Sequence, residues 1–121
     1  AKYNVVSAPV AARMALGAAA ASGSDIAVSV TGVAGPTGGD EVRPVGTVYL
    51  GAARGDTVYV QKLFVSRPDR ALVRARAAQA ALALALRLAQ GKVPAHTKPL
   101  AASEQHSAAA LDALNEAFLA E

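Results

Sequence analysis

Residues 31 to 39 read Thr31-Gly32-Val33-Ala34-Gly35-Pro36-Thr37-Gly38-Gly39, a loop with four glycines. Glycines lacking Cβ let backbone N–H groups close on an anion, and the Thr31 hydroxyl adds a donor. No Lys follows as in a Walker loop. Composition therefore leaves two readings open, a ligand loop or a long connecting turn. Arg67, Arg70 and Arg74 stand three and four apart where a helix begins; Arg70 and Arg74 there would favour a phosphate electrostatically, but a lone triplet of this kind is normally a solvated face. Ser7, before Ala8-Pro9, reads as a helix cap rather than a nucleophile, and Asp69 as a local cap. Arg54-Gly55-Asp56 spells an adhesion tripeptide but reads as a hairpin turn. His96 and His106 have no carboxylate at triad or ligand spacing and read as solvent-exposed. With no cysteine, disulfides, zinc-thiolate sites and thiol catalysis are excluded. Two histidines give no basis for a protein-only transition-metal site.

These residues must be carried by elements that the pattern also indicates. Ser7 and Pro9 open a helix that runs to about Ala21 and stops at Ser22-Gly23. Asp25 to Thr31 is a short β-branched run, apolar or small on both faces, as in a central strand. Val45 to Ala53 and Thr57 to Val65 form a β-hairpin around Arg54-Gly55-Asp56. Pro68 and Asp69 open a long helix reaching Gln90, which Gly91 ends. Lys92 to Ala102 reads as an extended linker with Pro94 and Pro99. A final amphipathic helix, Ser103 to Ala120, presents Leu111, Leu114 and Phe118 on one face. The expected fold is α/β, a three-layer α-β-α unit. Its small mixed sheet has Ile26 to Val30 central, the hairpin beside it and helices flanking. So thin a sheet needs another strand or a partner to protect its edges.

The length of 121 residues fits one domain. Hydrophobic residues make up 53%, much of it alanine, and aromatics only 4% with no Trp. That argues against a base-stacking surface. A net charge of +3, from basic residues spread between Lys2 and Lys98, is too mild and dispersed for a duplex-binding face. The chain opens Ala-Lys-Tyr-Asn without the apolar stretch of a signal peptide. The most apolar run, Ala77 to Leu86, rises about 15 Å as a helix, half of what a bilayer needs. The reading is a soluble, cytoplasmic protein with no membrane partner.

Three stretches together resemble the nicotinamide-nucleotide amidase family, of the CinA C-terminal type. Val5-Val6-Ser7 leads into a helix, similar to the family's Gly-Ala-Val-Ser-Glu-Glu-Val-Ala. Asp25-Ile26-Ala27, followed by Thr31-Gly32-Val33-Ala34-Gly35-Pro36 and Gly38-Gly39, is similar to its Thr-Gly-Ile-Ala-Gly-Pro-x-Gly-Gly signature. Arg43-Pro44-Val45-Gly46-Thr47-Val48 matches its Lys/Arg-Pro-Val-Gly-Thr-Val. Asp69-Arg70 with Arg74 resembles its Gly-Asp-Arg-x-x-(Ile/Val)-Arg. The resemblance runs from Lys2 to Gly91. It divides the chain into a partial amidase domain, 1–91, and a linker with a C-terminal amphipathic helix, 92–121.

The resemblance implies hydrolysis of the carboxamide of nicotinamide mononucleotide to nicotinate mononucleotide and ammonia, with no cofactor. In the family a serine of Glu-Ser-x-Thr-Gly-Gly attacks the amide and a lysine of Asn-x-x-Lys acts as base. Neither motif occurs in these residues, so no catalytic residue is expected here. Carried over are the supporting positions. Thr31, Gly32, Ala34 and Gly35 would line the nucleotide site, and Arg70 and Arg74 would contact its phosphate. The alternative is a non-catalytic remnant acting as a protein-interaction or nucleotide-binding module. Partners implied are nicotinamide mononucleotide or a related nucleotide, and either a second copy or the protein's own N-terminal segment; a nucleic acid ranks last.

Overall fold

The computed structural model describes residues 3–34, 38–66 and 69–121. Ser7 caps the first helix as its hydroxyl accepts from the Val10 N–H, with Pro9 in the first turn, and α1 runs Ala8–Ser22. Gly23 at φ 68° closes it, donating to the Ala19 carbonyl. Strand β1 is Ile26–Gly32, β2 Thr47–Arg54 and β3 Thr57–Phe64. Asp69 caps α2, Arg70–Ala89, by accepting from the Leu72 N–H at 2.8 Å. Strand β4 is Lys98–Ala101, and α3, Ala108–Leu119, starts at the cap Ser107. No helix among the described residues is long and apolar enough to cross a membrane.

The four strands lie in the order β1-β2-β3-β4, and every pairing is antiparallel. The hairpin turns at Gly55-Asp56, with Arg54 opposite Thr57, as the tripeptide reading required. Helices cover both faces of the sheet, so the layered α/β arrangement is present. On one face Tyr49, Ala53, Val58 and Val60 pack with α1 and α3. On the other, Val48, Leu50 and Ala52 pack with Val73, Ala77, Leu84 and Leu88 of α2.

Two particulars differ from the sequence reading. The sheet is antiparallel rather than mixed, and β1 lies at its edge among the described strands. Ile26, Val28 and Ala27 look two-sidedly apolar because α1 and α2 both overlap this strand, not because it is flanked by neighbours. The strand buried on both faces is β2, from Thr47 to Ala53. The stretch expected as a linker contains β4, which sets Leu100 opposite Val58 and Pro99 opposite Tyr59. Proline, lacking an N–H, suits this edge position. Leu100 then shares a core with Leu111, Leu114 and Phe118 of α3.

The first helix approaches the sheet unusually closely. Ala8, Ala11, Ala12 and Ala15 on its inner face are fully buried, and Gly51 of β2 faces them. A Cβ at Gly51 would stand 2.4 Å from the Ala11 carbonyl oxygen and 2.8 Å from Ser29 Oγ. That carbonyl accepts the Ser29 hydroxyl at 2.6 Å, a buried bond joining helix to strand. We expect Gly51→Ala to push α1 outward and cost about 1–3 kcal/mol, the usual range for overpacking. Urea midpoints of wild type and variant measure it, and an unchanged midpoint would mean the contact gives way freely.

Candidate functional site

A cleft opens where β1 ends, and its walls follow from a short series of bonds. After Gly32 the chain stays on the sheet edge, because the Val33 N–H donates to the Thr47 carbonyl (2.9 Å) and the Gly46 N–H to the Val33 carbonyl (2.7 Å). Asp40 turns the returning loop, its Oδ1 accepting from the N–H groups of Val42 (3.0 Å) and Arg43 (2.7 Å). The Asp40 N–H donates back to the Arg43 carbonyl at 3.1 Å. Thr47, fully buried, donates its hydroxyl to the Pro44 carbonyl at 2.7 Å. The backbone around Arg43 is thus held on both sides.

The opposite wall is the strap ahead of α1. The Thr31 hydroxyl donates to the Val5 carbonyl (2.7 Å) and Arg43 Nε to the Val6 carbonyl (2.6 Å). Two successive carbonyls are tied to two different parts of the motif region. Asn4 folds the strap on itself, its side chain accepting from the Val6 N–H at 2.8 Å and its carbonyl from the Ser7 hydroxyl at 2.7 Å. The open cleft between these walls holds about 490 Å³ and is lined by Asn4, Gly32, Ala34, Asp40, Arg43 and Arg70 among others. That volume falls in the range of small-ligand sites.

Of the residues the sequence reading names, Gly32, Ala34 and Arg70 line this cleft. Thr31 lies beside them with its hydroxyl spent on Val5, which makes it a tie for the wall. Gly32 answers a demand of the sheet, since a Cβ there would sit 2.9 Å from the Thr47 carbonyl oxygen. Gly35 lies outside the described residues, as does Arg67. Arg74, one turn beyond Arg70, is exposed and is not among the cleft's lining residues. Ser7 is buried and acts as the cap. His96 and His106 are exposed.

Arg43 and Asp40 were not singled out as site residues from sequence. The available signal was a basic residue ahead of the stiff Pro44-Val45-Gly46 run, beside a glycine loop. With Arg70 at the positive end of the α2 dipole and Arg43 half-buried opposite the strap, the cleft can hold an anion. Among the described residues its lining includes no serine, lysine or histidine.

Tyr49 of β2 pairs with Thr31 of β1 and is almost wholly buried, its ring edge-on to Phe118 at 5.7 Å and 86°. Burial raises its pKa above the ordinary 10.0, with Arg43 pulling it down and Glu121 pushing it up. The folded state holds this proton more firmly than the unfolded chain. Tyr49 therefore contributes stability that is complete below about pH 10 and lost as pH rises through its folded pKa. Spectrophotometric titration at the phenolate band should show one of the three tyrosines ionising late, together with unfolding. In Tyr49→Phe that late phase should vanish, and its persistence would rule Tyr49 out as its source.

Comparison with known proteins adds relatives to this geometry. The profile of the CinA C-terminal domain matches residues 1–89, ending before β4 and α3. The nicotinamide-nucleotide amidohydrolase PncC of Enterobacter agglomerans is 45% identical over 86 residues, which is 71% of this chain and 52% of that protein. A CinA-like protein of Geobacter sp. (strain M21) is 51% identical over 74 residues, 61% of this chain and 18% of that protein. Among solved structures, the competence/damage inducible protein CihA of Agrobacterium tumefaciens superposes with a TM-score of 0.70 at 34% identity, over 74% of this chain and 55% of that one. A CinA superfamily protein of Escherichia coli gives 0.66 at 36% identity, over 72% and 50%. In every case the chain spans only part of the relative's length.

Proposed function

Because the chain belongs to the CinA C-terminal domain family, we propose that it is the nucleotide-holding part of a nicotinamide-nucleotide amidohydrolase. Its substrate is nicotinamide mononucleotide, whose carboxamide is hydrolysed to the carboxylate with release of ammonia, in the cytoplasm and in the recycling of pyridine nucleotides. The observation carrying this is the cleft at the end of β1, where Gly32, Ala34 and Arg70 meet. The 45% identity over 86 residues to an amidohydrolase of that name supports it. The loop through Gly35 holds the nucleotide and Arg70 neutralises phosphate charge, with Arg74 next to it on the helix. The attacking serine and the lysine base belong to the family's Glu-Ser-x-Thr-Gly-Gly and Asn-x-x-Lys motifs, which these residues do not contain. This chain alone therefore binds without turning over. Residues 1–91 form the partial amidase unit and 92–121 an appended piece.

Calorimetry and an ammonia assay on the purified chain test this reading together. Nicotinamide mononucleotide should bind, and no ammonia should be released above the uncatalysed background, because removing a nucleophile lowers rates by orders of magnitude. Arg70→Ala should weaken binding about tenfold, the loss of one charge-assisted hydrogen bond. Ammonia release at an enzymatic rate, or wild-type protein that does not bind the nucleotide, would defeat the proposal.

A second reading, that the chain is an interaction module, is favoured by the outward side of α2. Leu82 and Leu86, one turn apart, are 72% and 57% exposed, and the edge of β1 has no strand beside it among the described residues. An apolar helix back and an open strand edge are surfaces that proteins normally cover. The two readings are compatible: the cover is a second copy or the protein's own N-terminal segment. Light scattering should give a mass above the monomer's 12.1 kDa, and Leu82→Glu/Leu86→Glu should return it to the monomer value. A monodisperse wild-type monomer would remove the reading.

A further inference from the structure

We propose that Arg43 is the principal anion anchor of the cleft, and that with Arg70 it selects a phosphomonoester over its dephosphorylated counterpart. This deepens the nucleotide reading and rests on it for the identity of the ligand, but the anchor itself stands on the geometry of Arg43. A guanidinium carries five N–H donors. Nε is committed to the Val6 carbonyl at 2.6 Å, which fixes the plane of the group. The four η N–H donors have no acceptor among the described residues, although the side chain is half-buried and lines the cleft. No buried side-chain donor among the described residues lacks a partner, so these η groups open onto the solvent of the cleft, and a phosphate entering there offers the paired oxygens that a guanidinium edge matches.

The charge is available as well as the donors. Asp40, the acid lining the same cleft, has Oδ1 accepting two backbone N–H groups, one of them Arg43's own. It forms no ion pair with the Arg43 guanidinium among the described residues. That carboxylate thus shapes the loop rather than quenching the cation. Arg70 is exposed at the first residue of α2 and must be ordered on binding. Arg43 is already held by its backbone turn, by Pro44 and by Val6, so less conformational entropy is lost when it engages a ligand. Arg74 contributes no lining surface.

The experiment measures binding to the 121-residue chain by calorimetry with three probes: nicotinamide mononucleotide, nicotinamide riboside and inorganic phosphate. Arg43→Gln is expected to lower affinity for the mononucleotide and for phosphate about 10- to 100-fold, leaving the riboside unchanged. Arg43→Lys retains the charge and should recover part of the loss, and it covers the case in which the Gln variant, without its tie to Val6, fails to fold. An equal loss for mononucleotide and riboside would overturn the proposal, because it would make Arg43 a support of the wall alone. Unchanged phosphate and mononucleotide affinity in either folded variant would overturn it too. If wild type binds phosphate through Arg43 but does not bind the mononucleotide, the anchor stands and the amidohydrolase reading falls.

Discussion

The contact on which the rest of this fold depends is the seating of α1 against β2 at Gly51. A helix lined by four alanines buries little area per residue, so it gains from burial only by coming close. Gly51 opens the space and the Ser29 hydroxyl, bonded to the Ala11 carbonyl at 2.6 Å, sets the height. Because Ser29 lies on β1 and Gly51 on β2, directly opposite each other, one contact locks the helix to two strands at once. The strap of residues 3–7 continues straight into α1, so its distance from the end of β1 is inherited from that seating. Only at this spacing do Thr31 and Arg43 reach the carbonyls of Val5 and Val6. The cleft is therefore a consequence of how closely a small-residue helix packs seven residues away.

The two faces of the sheet are completed differently. One carries α1 and α3, and α3 brings Phe118 against Tyr49 while Lys62 and Lys98 lie over those rings at 5.8 Å and 5.2 Å. Lys98 also pairs with Glu121 at 2.9 Å, though both side chains are well exposed and such a pair adds little. What holds α3 is the burial of Leu111, Leu114 and Phe118. These residues lie beyond the stretch that the family profile covers, yet they share one core with α1. The other face carries α2 alone, and a single helix cannot cover its own back. On the α2 side the helix back leaves Leu82 and Leu86 72% and 57% exposed.

Much of this was legible because local chemistry decided it. Ser7 with Pro9 dictates a helix start, Arg54-Gly55-Asp56 a tight turn, and the spacing of Leu111, Leu114 and Phe118 a buried stripe. What escaped was set by long-range geometry. β4 is four residues long and carries Pro99, so it shows no alternation, and only pairing with β3 reveals it as a strand. The edge position of β1 was hidden because helices half-bury both its faces, so its sequence is apolar or small on both sides as in a central strand. Helical spacing put Arg70 and Arg74 on one face, but the cleft lies beyond the end of α2, where only the first turn reaches it. Arg43 was the hardest to see, since its role rests on a bond to a carbonyl 37 positions away.

The electrostatics of the cleft follow from how its one lining carboxylate is used. An aspartate beside two arginines would ordinarily form an ion pair and leave a nearly neutral surface. Here two backbone N–H groups occupy Asp40 Oδ1, so it closes a turn, and the guanidinium η donors meet no acceptor among the described residues. That arrangement separates two tasks that a salt bridge would merge. The acid determines where Arg43 stands, and Val6 determines how its plane is turned. The same fixed charge reaches down to Tyr49, opposing the rise that burial imposes on the phenol. A cation whose Nε is tied to the Val6 carbonyl, on a backbone that Asp40 fixes, reorganises little when an anion arrives, and low reorganisation is what makes electrostatic stabilisation effective. The mild net charge of +3 understates this cleft, because what matters there is one guanidinium whose carboxylate neighbour is engaged elsewhere.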